Sequence, residues 1–184
     1  MNFIQFANLV QFASIAIYGL IALWYVVPWL KKLGRAEALI ALSWFHIFRY
    51  TSPYIFVAQR EGYPISDLAA TQIMVGDLAG AAIALVTIFL LRRQVRLGIV
   101  FSWLLVLETL VDFVVGARQR AIEPRAAPTG VWWLILNFFA PLILVSLPLL
   151  IWQLYARRSE PLADTKKTQP VPFSRQPIEK GIVQ

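Results

Sequence analysis

Five ionisable side chains stand inside long apolar stretches of this sequence, where charged residues are rare. A basic pair occurs at His46 and Arg49, and three acids follow at Asp77, Glu108 and Asp112. In a membrane helix each such group costs roughly 2.5–3.5 kcal/mol at the midplane, so each is expected to face other helices and to find a partner. These residue types suit ion pairing, proton transfer and the binding of a polar or charged ligand.

Their spacing places these residues on shared helix faces. His46, Arg49 and Tyr50 recur at i, i+3 and i+4, and Glu108 and Asp112 stand four residues apart. Depth in the membrane can be estimated from a rise of about 1.5 Å per residue, counted from the middle of each apolar segment. All the ionisable groups then lie at the midplane or in the outer half of the membrane. We therefore predict one polar cluster inside a helix bundle.

Side-chain chemistry suggests the roles within this cluster. The groups able to give or take a proton are the candidate catalytic residues, namely Glu108, Asp112 and His46. The candidate ligand-binding residues, at similar depth, are Arg49, Asp77, Tyr50 and Asn137. Aromatic residues that could line a pocket near them are Trp44, Phe45, Phe48, Trp103, Phe138 and Phe139.

The charges of the cluster do not balance. One permanent cation, Arg49, faces three acids, and protonation of His46 would still leave two positive groups against three negative ones. At least one acid should then be protonated, open to water, or paired with a ligand. A cluster that only holds the bundle together through Arg49 needs no surplus acid, but that alternative stays open.

Three functions use the surplus acid or tolerate it. The favoured one is binding or transport of a small or amphipathic ligand. The second is an intramembrane enzyme, an acid/base isomerase or cyclase acting on a lipid-soluble isoprenoid- or sterol-like substrate. The third is a non-catalytic subunit that docks onto a larger membrane complex, which would make another membrane protein its partner.

Several other chemistries find little support. The sequence has no cysteine and one histidine, which excludes thiolate metal sites and bis-histidine haem ligation within the chain. A hard-metal site on the three acids is a less favoured alternative, and we assign neither a metal nor a cofactor. Basic residues account for a net charge of +7, but they stand beside the ends of apolar segments, so we expect no nucleic-acid partner.

The elements that must position these residues are helices across a lipid bilayer. Of the 184 residues 59% are hydrophobic, and mean hydropathy is +0.64. The apolar residues form blocks near the roughly 20 residues that a membrane helix needs. We predict an all-α bundle of five transmembrane helices, over residues 8–30, 36–58, 68–91, 97–117 and 131–153. The small residues Gly76, Gly80 and Ala84 predict close helix packing.

The distribution of lysine and arginine predicts the orientation. An outside N-terminus puts ten of these residues near the inner membrane surface and four near the outer one, which favours N-out and C-in. No basic residue precedes the first apolar block, so we expect a retained span rather than a cleaved signal peptide. We expect a multi-pass protein of the cell (inner or plasma) membrane, with residues 157–184 as a disordered cytoplasmic tail.

Overall fold

The computed structural model describes residues 3–122 and 130–162, and every regular element in these two ranges is helical. The predicted tail lies almost wholly outside them. The α-helices are α1 (Phe3–Ile21), α2 (Val27–Leu30), α3 (Arg35–Ile47), α4 (Tyr54–Arg60), α5 (Asp67–Arg92), α6 (Leu97–Ile122), α7 (Gly130–Leu134) and α8 (Ala140–Ala156). Two π-helical segments, Ala22–Val26 and Ile135–Phe139, and one 3₁₀ segment, Phe48–Thr51, connect some of them.

Among the described residues, four helical stretches are long and apolar enough to cross a membrane. They are Gln5–Leu30, Asp67–Arg92, Leu97–Arg118 and Gly130–Ala156. Each overlaps one of the predicted spans. The remaining predicted span, residues 36–58, is not one continuous helix, because the chain leaves the α-helix at Phe48 and re-enters it at Tyr54.

Proline accounts for all three irregular segments. Pro28, Pro53 and Pro141 each stand two residues after the end of such a segment. Proline has no N–H, and its ring clashes with the carbonyl four residues earlier, so the preceding turn must widen or tighten. The two π segments widen, since the N–H groups of Val27 and Ala140 bond carbonyls five residues back. The backbone between Ile47 and Tyr54 instead tightens into the 3₁₀ segment.

The helices pack into one bundle around two hydrophobic clusters. The α5 helix contacts both α6 and α3, and α8 contacts α1, α3 and α6. One cluster includes Leu39, Leu105 and Leu150, all fully buried. The other includes Ile55 and Trp132 near the α4–α5 turn. Asp77 lies between the two clusters along α5, because residues 69–70 belong to the second cluster and residues 84–91 to the first.

Two arginines tie the start of α3 to the end of α8. Arg35 donates to the carbonyls of Leu154, Arg158 and Glu160 at 3.1–3.5 Å. Arg157 in turn donates to the carbonyls of Leu30 and Leu33, at 3.4 and 2.8 Å. These carbonyls lie in the last turn of α2 or α8 or just beyond it, where helix carbonyls run out of intrahelical donors. We call this reciprocal pair of residues, Arg35 and Arg157, the arginine clamp.

Candidate functional site

Arg49 is the centre of a buried ion-pair cluster. Its side chain is only 2% exposed, and its three nitrogens each bond an acid from α5 or α6. Nε donates to Oδ1 of Asp77 at 2.8 Å, and Nη1 and Nη2 donate to the two oxygens of Glu108 at 2.6 and 2.9 Å. Nη2 also lies 3.0 Å from Oδ2 of Asp112. The planar fork of arginine allows this multiple pairing, and a lysine could not reproduce it. We call these four residues the Arg49 cluster.

Glycines on α5 form the floor under this cluster. A Cβ built on Gly80 would overlap Nη1 of Arg49 and stand 2.5 Å from its Cζ and 2.6 Å from Oε2 of Glu108. A Cβ on Gly76 would overlap Oδ1 of Asp112. The close packing predicted from the small residues is therefore made by side chains of α6 and the 3₁₀ segment, which rest on the α5 backbone.

The cluster carries more acid than base, and the acids keep some exposure. The side chains of Asp77, Glu108 and Asp112 are 19%, 15% and 27% exposed, against 2% for Arg49. One guanidinium cannot neutralise three carboxylates, so the fully ionised cluster has a formal charge of −2. Because the acids are more exposed than Arg49, water or a positively charged group can reach the excess negative charge at the acids.

A cavity of about 280 Å³ opens beside the Arg49 cluster. At about 30 Å³ per molecule it has room for roughly nine waters, near the lower end of small-molecule sites. Its polar wall contains Arg49, Asp77, Thr109 and Asp112. Its remaining wall is mainly apolar and aromatic, and includes Phe48, Phe113, Trp132, Ile135, Phe139 and Ile143. A space lined both by charged residues and by aromatic rings fits an amphipathic molecule.

Helix irregularity shapes this cavity. The 3₁₀ segment contributes Phe48 and Arg49, and the second π segment contributes Ile135 and Phe139. The rings of Phe48 and Phe139 stack at 5.8 Å between centroids, joining the two segments. Proline-induced turns therefore build two sides of the cavity.

His46 lies outside the cavity wall and is fully buried. Its Nε2 is 3.3 Å from the hydroxyl of Ser146, and its Nδ1 is 3.3 Å from that of Thr109. The Ser146 hydroxyl donates to the carbonyl of Ile143, so it accepts from Nε2–H, while the Thr109 hydroxyl lies between Nδ1 and, at 3.5 Å, Oε2 of Glu108. This arrangement joins α3 to α6 and α8. It offers neither nitrogen to a molecule in the cavity.

Tyr50 and Asn137, two predicted ligand-binding residues, stand apart from the Arg49 cluster. Tyr50 is 58% exposed, because the 3₁₀ turn breaks the helical register that would have aligned it with Arg49. Asn137 is 2% exposed and donates to the carbonyl of Trp133 at 2.8 Å, within its own helix. Its amide thus supplies a partner for a carbonyl beside the π segment.

The aromatic residues divide differently from the expectation. Phe48 and Phe139 line the cavity, whereas Trp44 and Trp103 are more than 40% exposed on the outer surface of the bundle. Trp132 stands just inside the start of the last long helix, a position typical of a membrane-interface residue, yet it is 2% exposed and lines the cavity.

Three polar residues of the site have no clear signal in the sequence. Thr109 accepts from Arg49 at 3.2 Å and contacts His46, and Ser52 and Trp132 line the cavity. Thr109 follows Glu108 directly, so only the helical offset from Glu108 could have suggested it. Among the described residues no group of three or more acids and histidines has the geometry of a metal site.

The model of one protein family matches most of the chain. The family is described as a domain of unknown function, DUF8737, and the match covers residues 6–155. The chain belongs to this family. No curated protein and no solved structure matches it. The matched segment of this DUF8737 protein contains the whole Arg49 cluster and every residue of the cavity wall.

Proposed function

We propose that this protein binds, or transports across the bilayer, a small amphipathic ligand held in the cavity beside the Arg49 cluster.

 The cavity is the binding site of this ligand, and transport across the bilayer would build on that binding. One observation supports this proposal above the others. The lining of the cavity combines charged residues, Asp77 and Asp112 among them, with aromatic rings. Small-molecule sites have this mixture of apolar lining and a few polar groups.

The proposal includes five membrane crossings. Residues 35–60 supply the fifth, because even with the 3₁₀ turn they extend roughly 35–40 Å, against a hydrocarbon core of about 30 Å. Packing of α3 against α5 and α8 supports this placement. We further propose the N-out, C-in orientation, which puts the arginine clamp at the inner surface of the cell membrane and the cavity in the outer half.

Molecules that copurify with the protein test the binding function. The protein is purified in a mild detergent, and bound small molecules are extracted and weighed by mass spectrometry. We expect a species that is depleted at least about fivefold in Asp112→Asn and in Ala140→Leu, which narrows the cavity. Asp67→Asn is the matched control, since Asp67 lies at the start of α5 and outside the cavity wall. Equal recovery from all four proteins would contradict the proposal.

An intramembrane enzyme is the second candidate, and one observation favours it. Two carboxylates, Asp77 and Asp112, face the same largely apolar cavity. One of them in the acid form could protonate a lipid-soluble substrate, and the aromatic wall could stabilise the resulting cation. In this version the proton transfers belong to Asp77 and Asp112, since His46 has both nitrogens engaged. Lipid extracts of expressing cells would then contain a new isomer that is absent with Asp112→Asn.

A further inference from the structure

Two buried polar atoms on the cavity wall have no hydrogen-bond partner among the described residues. They are Nε1 of Trp132 and Oγ of Ser52, in side chains whose residues are 2% and 1% exposed. An indole N–H can only donate, and an unpaired buried polar group is costly. Both residues line the cavity while these two atoms are covered, so an oxygen acceptor placed there would satisfy them once the side chains rotate toward it.

These two donors lie toward one end of the cavity. Ser52 follows Arg49 by one 3₁₀ turn, with its N–H bonded to the Arg49 carbonyl. Trp132 belongs to the hydrophobic cluster that includes Ile55 and Tyr63, beside the α4–α5 turn. The Arg49 cluster lies deeper along α5. The cavity therefore has a donor end, Ser52 and Trp132, and an acid end, Asp77 and Asp112.

The acid end has unused capacity to accept hydrogen bonds. Arg49 bonds Oδ1 of Asp77 and Oδ2 of Asp112, so the second oxygen of each carboxylate remains available. Of the three acids, Asp77 and Asp112 face this mainly apolar space, where charge interactions are stronger than in water. A cation with N–H donors meets both conditions, and neighbouring aromatic faces add to its attraction.

We infer that the ligand is a small lipophilic amine that carries an oxygen acceptor, with its ammonium at Asp77 and Asp112 and its oxygen at Trp132 and Ser52. This inference rests on the proposed binding function and names its ligand class. A cavity of about 280 Å³ limits the enclosed part to a compact molecule or to the head of a longer one.

Three probes of one size test the charge of the ligand. 4-Phenylbutylamine, 4-phenylbutan-1-ol and 4-phenylbutanoate are titrated against the full chain in nanodiscs of zwitterionic lipid at pH 7, with empty nanodiscs subtracted. We expect the amine to bind about tenfold more tightly than the alcohol, and the carboxylate to bind most weakly. Asp112→Asn should reduce the ratio of amine to alcohol affinity to about threefold or less, while Asp67→Asn preserves it.

A hydroxylated amine tests the donor end. 4-(4-Aminobutyl)phenol should bind about three- to tenfold more tightly than 4-phenylbutylamine, as expected for one or two added hydrogen bonds. Trp132→Phe and Ser52→Ala should each reduce this gain, and neither should change the preference for amine over alcohol. An unchanged gain in both variants would overturn the assignment of the acceptor.

The outcomes separate this inference from the proposed function. Equal affinity for amine and alcohol in the natural protein, or no binding of any probe, overturns the amine assignment even if an aspartate variant fails to fold. The copurification measurement decides the binding function independently, because it assumes no ligand chemistry. A copurified species without a basic nitrogen would preserve the binding function and overturn the inference.

Discussion

The Gly80→Ala substitution tests whether the Arg49 cluster rests on the α5 backbone. The added Cβ would stand 2.5 Å from Cζ of Arg49 and 2.6 Å from Oε2 of Glu108, whereas ordinary Cβ contacts begin near 3.4 Å. The guanidinium must move by about 1 Å, which lengthens its bonds beyond hydrogen-bond range. Overpacking costs about 1–3 kcal/mol and loss of one partner of a buried pair about 3–5 kcal/mol. We expect the free energy of unfolding to fall by about 2–4 kcal/mol.

Gly19→Ala is the matched control, because no atom lies within 4 Å of a Cβ built on Gly19. Alanine is the better helix former, so this variant should be unchanged or more stable by up to about 1 kcal/mol. Unfolding by SDS in mixed micelles, followed by the fluorescence of the seven tryptophans, measures both. If Gly80→Ala unfolds at the same SDS fraction as Gly19→Ala, the close packing of Arg49 on α5 is wrong.

Four further predictions use the same unfolding assay. Arg49→Lys should lower the free energy of unfolding by about 2–3 kcal/mol, because one ammonium cannot replace the three-way fork; equal stability would contradict the geometry. His46→Phe should cost about 1–3 kcal/mol but change probe affinity less than about twofold, and a large loss of affinity would return His46 to the binding site. Arg157→Ala should cost about 1–3 kcal/mol through the carbonyls at the end of α2. The hydrogen bond from Arg157 lowers the pKa of Glu160, so the ionised Glu160 stabilises the fold at neutral pH. This stabilisation is lost as the pH falls through the lowered pKa. Glu160→Gln should remove this dependence of stability on acid pH.

The sequence predicted the polar cluster because burying charge in a membrane leaves few arrangements. Arg49, Asp77, Glu108 and Asp112 each need a partner at their own depth, and antiparallel helices bring those depths together. The glycines of α5 carried a second, independent signal of close approach. Pairing at this site follows from the depth of the charged residues, and close packing follows from the small size of the glycines. Depth and residue size can both be read from the sequence.

The side-chain positions near the irregular helical segments could not be predicted in that way. A uniform helix over residues 36–58 puts Tyr50 on the face of His46 and Arg49, but the tightened turn before Pro53 moves it to the outside. Trp132 has the residue type and the end position of a membrane-interface residue, yet tertiary packing encloses it. The prolines were visible in the sequence, whereas the direction in which each one changes the preceding turn was not.

The same breaks explain why the cavity and the cluster occur together. A straight helix presents a continuous surface that neighbouring helices can fill with side chains, as in the cluster around Leu39, Leu105 and Leu150. At Phe48–Thr51 and Ile135–Phe139 the backbone departs from that surface, and the cavity opens between these two segments and the acids of α5 and α6. An ion pair that served only to join helices would gain nothing from such an opening. The placement of both irregular segments at the depth of the surplus acid is the structural argument for a ligand.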